Sequence, residues 1–294
     1  MTATPETMPA PLRRLRGVAA VAHPFPAAMN GAAAAAFYAI AAWPPDGAGL
    51  AAITLSALLV HAAIGSLNDW HDLDLDRATR PEKPVVRGDI SRDGALAVAS
   101  IAAALGLALS ASFNLATLGI AVLVLAAGIA YDLALKGTVV SFVPYGVAIP
   151  ALPVWSFVAA GHFAPALLLA FPFGALIALA LNLANTIPDL AGDTAHGLRG
   201  LAHRLGLRRS LAATWGAFAA SLAALALTPV LVGNDGAVLL PGLGLALVLL
   251  AATVVDVTVN RTAASLKRGW YVSAVIAALI GLAFVASLPA AEGG

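Results

Sequence analysis

The residues able to do chemistry are gathered at two points in the chain. The first is the run Asn68-Asp69-Trp70-His71-Asp72-Leu73-Asp74-Leu75-Asp76, which closes an apolar stretch that also carries His61. A continuous helix, turning about 100° per residue, places Asn68, Asp69, Asp72 and Asp76 within an arc of about 100°. His61 falls on the same stripe and Asp74 points roughly the other way. Three carboxylates on one stripe repel one another unless a cation sits between them. Hard oxygen ligands suit Mg²⁺, which takes one or two carboxylates and completes its shell with water and phosphate oxygens. The competing reading is a solvated acidic loop that merely caps a helix.

The second point is Asn182, Asn185, Asp189 and Asp193, whose 3–4–4 spacing makes a similar stripe if the helix is continuous. Pro188 within it is expected to kink the segment. Basic residues follow the first group at once: Arg77, Arg80-Pro81-Glu82-Lys83-Pro84 and Arg87. The prolines favour an extended turn over a helix. A diphosphate held through Mg²⁺ on one side needs Arg or Lys on the other, and Arg80, Lys83 and Arg87 are the candidates. Arg92 is read as a topology signal, and Ser91 or Asp93 as the cap of the next helix.

These groups must be positioned by a membrane bundle. The 294 residues are 61% hydrophobic and only 11% charged, with a mean hydropathy of +0.91. That deficit of charge places the chain in the integral membrane class. The net charge of +1 carries no nucleic-acid signature, and the absence of cysteine excludes disulfides and thiolate metal sites. Nine apolar runs read as spans: Ala27–Pro44, Gly49–Ser66, Gly94–Ser112, Leu115–Ala134, Val139–Ala160, Phe163–Asn185, Leu211–Val232, Ala237–Val259 and Trp270–Ala290. All 16 Lys and Arg fall in the N-terminal segment or in even-numbered breaks between runs. The positive-inside rule makes that side cytoplasmic, with the N-terminus and both acidic groups there and the C-terminus opposite. Residues 1–26 read as a cytosolic tail and 27–294 as a single polytopic domain in a cell membrane.

On these motifs the chain resembles the UbiA family of intramembrane prenyltransferases over nearly its whole length. The family's Asn-Asp-x-x-Asp-x-x-x-Asp motif corresponds to Asn68, Asp69, Asp72 and Asp76, and its Arg-Pro-rich continuation to Arg80-Pro81-Glu82-Lys83-Pro84. Its second motif corresponds to Asp189, Asp193, Gly197 and Leu201-Ala202-His203-Arg204-Leu205-Gly206, and its Tyr-Ser-x-x-Leu-Lys signature to Tyr131-Asp132-Leu133-Ala134-Leu135-Lys136. The resemblance implies an all-α membrane fold of about nine transmembrane helices around a central cavity open to isoprenoid tails from the bilayer. It implies two Mg²⁺ ions, bridged by the substrate diphosphate and held by Asp69, Asp72, Asp76, Asp189 and Asp193. Asn68, Arg80, Lys83, Arg87, Lys136 and Arg204 would bind diphosphate, with Lys136 also serving the reaction. Asn30, His61, Tyr131, Asp132, Asn182 and Asn185 are the candidates for the cavity or the acceptor.

The implied reaction is Mg²⁺-dependent ionisation of an allylic isoprenyl diphosphate, with a small aromatic or other polar acceptor capturing the carbocation. A membrane terpene cyclase using the same ionisation is the first alternative, and a transporter or cation channel the distant one. Three positions depart from the family pattern. His23-Pro24 stands for a common Arg-Pro, Asp132 for the usual serine, and Asn185 for an acid found in some members.

Overall fold

The computed structural model describes residues 9–195 and 197–288, and these are helical, with turns and short loops between. The first eight residues of the N-terminal tail and the C-terminal end of the ninth apolar run lie outside the described residues. The expected placement of the C-terminus therefore falls there too.

Thirteen helices follow in order. α1 (Ala10–Val21) falls within the segment read as a tail, and α2 (Pro24–Ala41) and α3 (Gly47–His71) form the first antiparallel pair. A short α4 (Leu73–Thr79) precedes α5 (Arg92–Ala111) and α6 (Leu115–Ala130), and a π turn, Tyr131–Leu135, extends α6. α7 (Val143–Ala159), α8 (Ala170–Thr186), a short α9 (Leu190–Ala195) and α10 (Leu201–Ala226) come next. A short α11 (Thr228–Val232), then α12 (Gly236–Asn260) and α13 (Ala263–Ala286) complete the chain.

Local chemistry sets many of these starts. Asp46, Ser91 and Asn114 each accept a backbone N–H in the first turn of α3, α5 and α6, and Asp235 does so for α12. Thr262 and Ser265 form a reciprocal capping pair at the start of α13. Of the two caps foreseen for α5, the chain uses Ser91.

Each of the nine apolar runs overlaps one long helix, but the ends move. α10 begins at Leu201, ten residues before the run it overlaps, breaks direction at Gly206, and ends at Ala226, with α11 carrying the rest of that run. Six segments are long and apolar enough to cross a membrane: α3, α5, α6 with its π turn, the stretch from Pro165 to Ala195 that contains α8, α12 and α13. α7 is apolar but has only 17 residues. Pro24, Pro26 and Asn30 dilute α2, and His203, Arg204, Arg208 and Arg209 dilute α10. Outward faces are apolar along α12, where Val248, Val255 and Val259 are all more than half exposed. A patch of this kind is intolerable in water and ordinary against lipid. The chain is a multi-pass membrane protein.

Neighbouring contacts run from α2 to α3, α5, α6, α7, α8, α10, α12 and α13, and α13 returns to α2. The ring closes around a cavity. Close approach comes from small residues. Ala34, Ala57, Ala121, Ala180 and Ala246 are fully buried among larger anchors such as Trp155 and Phe218. A polar string ties three helices: Trp155 Nε1 donates to Ser110 Oγ at 3.1 Å, Ser110 and Ser56 hydroxyls lie 2.8 Å apart, and Ser56 Oγ donates to the Gly106 carbonyl at 2.7 Å. Gly106 permits this, because a Cβ there would meet Val60 Cγ2 at 3.0 Å and the Ser56 carbonyl at 3.2 Å.

Gly106→Val is therefore expected to destabilise the detergent-solubilised protein by about 1–3 kcal/mol, the usual cost of overpacking. Gly119→Ala, with nothing within 4 Å of its Cβ, is the control and should leave the thermal midpoint unlowered. Equal midpoints for both variants would show that α3 and α5 do not depend on this contact.

Candidate active site

The first acidic motif is nearly the continuous stripe that its spacing predicts. α3 ends at His71 and α4 starts at Leu73, yet the Asp72 N–H donates to the Asn68 carbonyl at 2.9 Å and the Asp76 N–H to the Asp72 carbonyl at 2.8 Å. Helical spacing thus survives the break, and Asp69, Asp72 and Asp76 are all buried. Asp74 faces solvent and pairs with Arg77 at 3.0 Å. The second motif is less regular. After α8 the chain tightens into a 3₁₀ turn, Ile187–Asp189, with Pro188 inside it, before α9 resumes. Asp193 is buried and Asp189 is half-exposed.

Arg80 joins the two motifs. Its Nη1 donates to Asp76 Oδ1 at 2.9 Å, its Nη2 to Asp193 Oδ1 at 2.9 Å, and its Nε to Asp189 Oδ2 at 3.2 Å. Lys83 Nζ donates to Asp69 Oδ1 at 2.6 Å and lies 3.0 Å from Asp76 Oδ2, the latter outside hydrogen-bond geometry. Lys136 donates to Asp72 Oδ1 and lies 3.4 Å from His71 Nδ1. Asn68 Nδ2 donates to Asp72 Oδ2 and to Asp132 Oδ1, both at 3.0 Å. His23 Nε2 meets Asp69 Oδ1 at 2.9 Å.

Burial works against the charges on Arg80 and Lys83. The carboxylates of Asp189, Asp193 and Asp76 outweigh it for Arg80, and those of Asp69 and Asp76 for Lys83. Both cations are pushed above their ordinary values and stay charged. Among the ion-paired side chains here, the carboxylates of Asp69, Asp72, Asp76, Asp189 and Asp193 face the three cations Arg80, Lys83 and Lys136, two fewer than the acids.

The cluster closes one end of a cavity of about 650 Å³. Asn68, Asp72, Arg80, Lys83, Lys136, Asp189 and Asp193 line its polar end, and Phe37, Ile149, Phe173 and Phe284 are among its apolar walls. Of the other residues singled out by sequence, Asn30, His61, Tyr131, Asp132 and Asn185 also line it. Asn30 Nδ2 donates to the Pro26 carbonyl at 2.9 Å, and His61 Nδ1 lies 2.8 Å from the Ala57 carbonyl. Asn185 Nδ2 donates to the Tyr145 hydroxyl at 3.1 Å, and Tyr145 packs edge-on against Tyr131 with centroids 5.3 Å apart.

Three expected site residues stand elsewhere. Arg87 turns to buried Asp89, because Gly88, with φ of +74°, reverses the chain between them. Arg204 is exposed and its Nε donates to the Arg199 carbonyl at 3.1 Å. Asn182 ties α8 to the turn before α7 instead, accepting from Ser141 Oγ at 2.9 Å and donating to the Ser141 carbonyl at 3.2 Å. Arg92 stacks over Trp70, 5.2 Å from the ring centroid, away from the cavity.

Sequence reasoning did not single out Tyr145, His203 or Lys267, all of which line the cavity. The His203 side chain is only 4% exposed, its Nε2 lies 3.9 Å from Asp193 Oδ2, and neither ring nitrogen has a hydrogen-bond partner. Its place beside Arg204 in the second motif was the available signal.

The donor set suits a hard cation. Asp69 Oδ2 and Asp76 Oδ2 are buried with no hydrogen-bond donor, and carboxylate oxygens are the ligands Mg²⁺ prefers. As the side chains stand, no three acidic or histidine groups among the described residues converge as a metal site. Arg80 and Lys83 lie between the carboxylates and separate them. A metal ion between the carboxylates would require those two cations to turn away from them.

The sequence model of the UbiA prenyltransferase family matches residues 29–273. The digeranylgeranylglyceryl phosphate synthase of Methanoregula boonei is 32% identical over 217 residues, covering 71% of this chain and 76% of the relative. The enzyme of the same name from Halobacterium salinarum is 31% identical, over 88% of this chain and 95% of its own. A UbiA homologue from Aeropyrum pernix superimposes with a TM-score of 0.69 at 20% identity, covering 87% of this chain and 96% of that one. A UbiA homologue from Archaeoglobus fulgidus, bound to GPP and Mg²⁺, gives 0.69 at 17% identity, over 92% and 99%. At these identities the two structures speak for the fold.

Arg80→Met leaves Asp193 buried without its cation and Asp76 with Lys83 alone, and is expected to cost about 3–5 kcal/mol, as for other broken buried pairs. Mg²⁺ should restore part of the lost thermal midpoint in this variant by replacing the missing charge. A midpoint indifferent to Mg²⁺ would argue against a cation position between the motifs.

Proposed function

The chain belongs to the UbiA prenyltransferase family, and we propose that it transfers the prenyl group of an allylic isoprenyl diphosphate to a polar acceptor of the prenylated glycerol phosphate type. The observation that carries this reading is the cluster of five carboxylates and three cations closing one end of an apolar cavity. The acceptor class is taken from the relatives' name: a digeranylgeranylglyceryl phosphate is completed by adding a second geranylgeranyl group to a glycerol phosphate that carries one.

Asp69, Asp72 and Asp76 on one side, and Asp189 and Asp193 on the other, would hold Mg²⁺. When bound, that ion neutralises charge gathering on the departing diphosphate. Arg80 and Lys83, released from the carboxylates, donate to phosphate oxygens, and Lys136 does so from the opposite wall. Asn68 fixes the Asp72 carboxylate through its amide. The apolar walls keep water from the allylic carbon and accommodate the isoprenoid tail. The segregation of Lys and Arg supports nine spans with this site at the cytoplasmic side.

Two experiments test the reading. Purified protein with Mg²⁺ and geranylgeranyl diphosphate should release diphosphate, and the Asp72→Ala, Asp189→Ala double variant should lose at least ~10²-fold of that rate, as when an electrostatic stabiliser is removed. Wild-type rates in the double variant would sink it, and a cyclised product formed without acceptor would move the assignment to a terpene cyclase. In a binding titration, Lys83→Met should weaken isoprenyl diphosphate by about tenfold, the value of a hydrogen bond to a charged group. Arg87→Gln should leave the affinity unchanged.

A further inference from the structure

Asp132 is a buried acid of the cavity to which the reading above gives no part in holding diphosphate or Mg²⁺. It sits in the π turn Tyr131–Leu135, which closes with the Lys136 N–H donating to the Tyr131 carbonyl at 3.0 Å. The turn contains no proline to force it, and wide turns of this kind inside helices are frequent at functional sites. The residue is 2% exposed and lines the cavity beside Asn68 and Asp72.

The two oxygens of Asp132 differ. Oδ1 accepts from Asn68 Nδ2 at 3.0 Å, the same amide nitrogen that donates to Asp72. Oδ2 is buried and accepts from nothing. Lys136, four residues on, is engaged with Asp72. An acceptor-only oxygen without a donor is costly to bury, so its partner is expected to arrive with a ligand. An isoprenoid tail has no donor, and a diphosphate anion offers acceptors only. The co-substrate is the participant that can bring a donor, provided that its nucleophile is an O–H and not an aromatic carbon.

We propose that Asp132 Oδ2 accepts a hydrogen bond from the acceptor's alcohol or phenol O–H and takes its proton as the prenyl group is transferred. This rests on the prenyl-transfer reading above and assigns the base that serves its hydroxyl acceptor. The acceptor oxygen forms a C–O bond to the allylic C1, and the C1–O bond to diphosphate breaks with its electron pair leaving on diphosphate. The hydroxyl proton passes to Asp132. The products are a prenyl ether, free diphosphate and a protonated Asp132 that returns its proton to water once the cavity empties. Asn68 holds the carboxylate in place through Oδ1 and leaves Oδ2 for the substrate.

Asp132→Asn is the informative variant, because an amide oxygen still accepts from Asn68 while the amide nitrogen replaces Oδ2. Wild type and variant, in lipid nanodiscs with Mg²⁺ and geranylgeranyl diphosphate, are compared with and without geranylgeranylglyceryl phosphate. Diphosphate release and ether formation are measured separately. Ether formation should fall ~10²-fold or more, the typical contribution of a positioned base. Affinity for geranylgeranyl diphosphate should hold, and acceptor-free diphosphate release should persist.

A fluorinated, more acidic analogue of the acceptor should narrow the gap between wild type and variant, which a purely structural role would not do. Ether formation at the wild-type rate in Asp132→Asn overturns the proposal. So does a parallel loss of diphosphate affinity and release, which would put Asp132 among the diphosphate or metal contacts. Wild-type protein that releases diphosphate but forms no ether overturns this proposal and the glycerol phosphate acceptor, and leaves diphosphate ionisation standing. Wild-type protein that releases none overturns the prenyl-transfer reading and this proposal together.

Discussion

Everything at the polar end of this bundle follows from the cost of burying several carboxylates together. An uncompensated anion in a low-dielectric interior is among the most expensive groups a fold can hold. The chain meets that cost with its own cations. Arg80 spans Asp76, Asp189 and Asp193, Lys83 takes Asp69, and Lys136 takes Asp72. The balance among these paired groups is incomplete by two charges, which the proposed Mg²⁺ would offset. A cluster fully neutralised by its own side chains would have no appetite for a metal, and one with no internal cations would not pack.

The same demand explains where the helices break. A regular helix beyond His71 would carry Arg80 and Lys83 away along its axis. The short α4 and the proline-containing turn after it instead fold the basic segment back over the acids that precede it. On the other side, the 3₁₀ turn at Pro188 and the π turn after α6 bring Asp193 and Lys136 to the same place. The irregular backbone sits where it lines a polar cavity, the only setting in which a membrane protein tolerates it. The chain's regular helices position the site, and the departures from regularity build it.

The membrane helices were legible in the sequence because a bilayer imposes a length and a composition on each span. The acid stripe at Asp69, Asp72 and Asp76 was legible for a similar reason, since i, i+3 and i+7 spacing survives the small break at Asp72. Asn182 was misplaced because Ser141, in the turn before α7, occupies both ends of its amide, a partner that no spacing within α8 encodes. Arg87 was misplaced because proximity in sequence to the acids says nothing of the reversal at Gly88. Tyr145 and Lys267 reach the cavity only through the packing of α7 and α13, and no local pattern encodes that. Asp132 was visible as a departure from a family signature, but its free oxygen depends on Asn68 from another helix.

The ring of helices closes when α13 meets α2, so the cavity has no complete wall until the last long helix has been made. The acids of the first motif emerge from the ribosome far earlier. Their partners are close at hand: Arg80 lies four residues after Asp76, and Lys83 fourteen after Asp69. Asp69 and Asp76 can therefore find their cations within one hairpin while later spans are still being synthesised, whereas Asp72 waits for Lys136. Asp189 and Asp193 then enter a membrane in which Arg80 is already waiting. The order of the motifs along the chain, cations directly after the first acids and before the second, gives Asp69, Asp76, Asp189 and Asp193 a cation already made or made within fourteen residues.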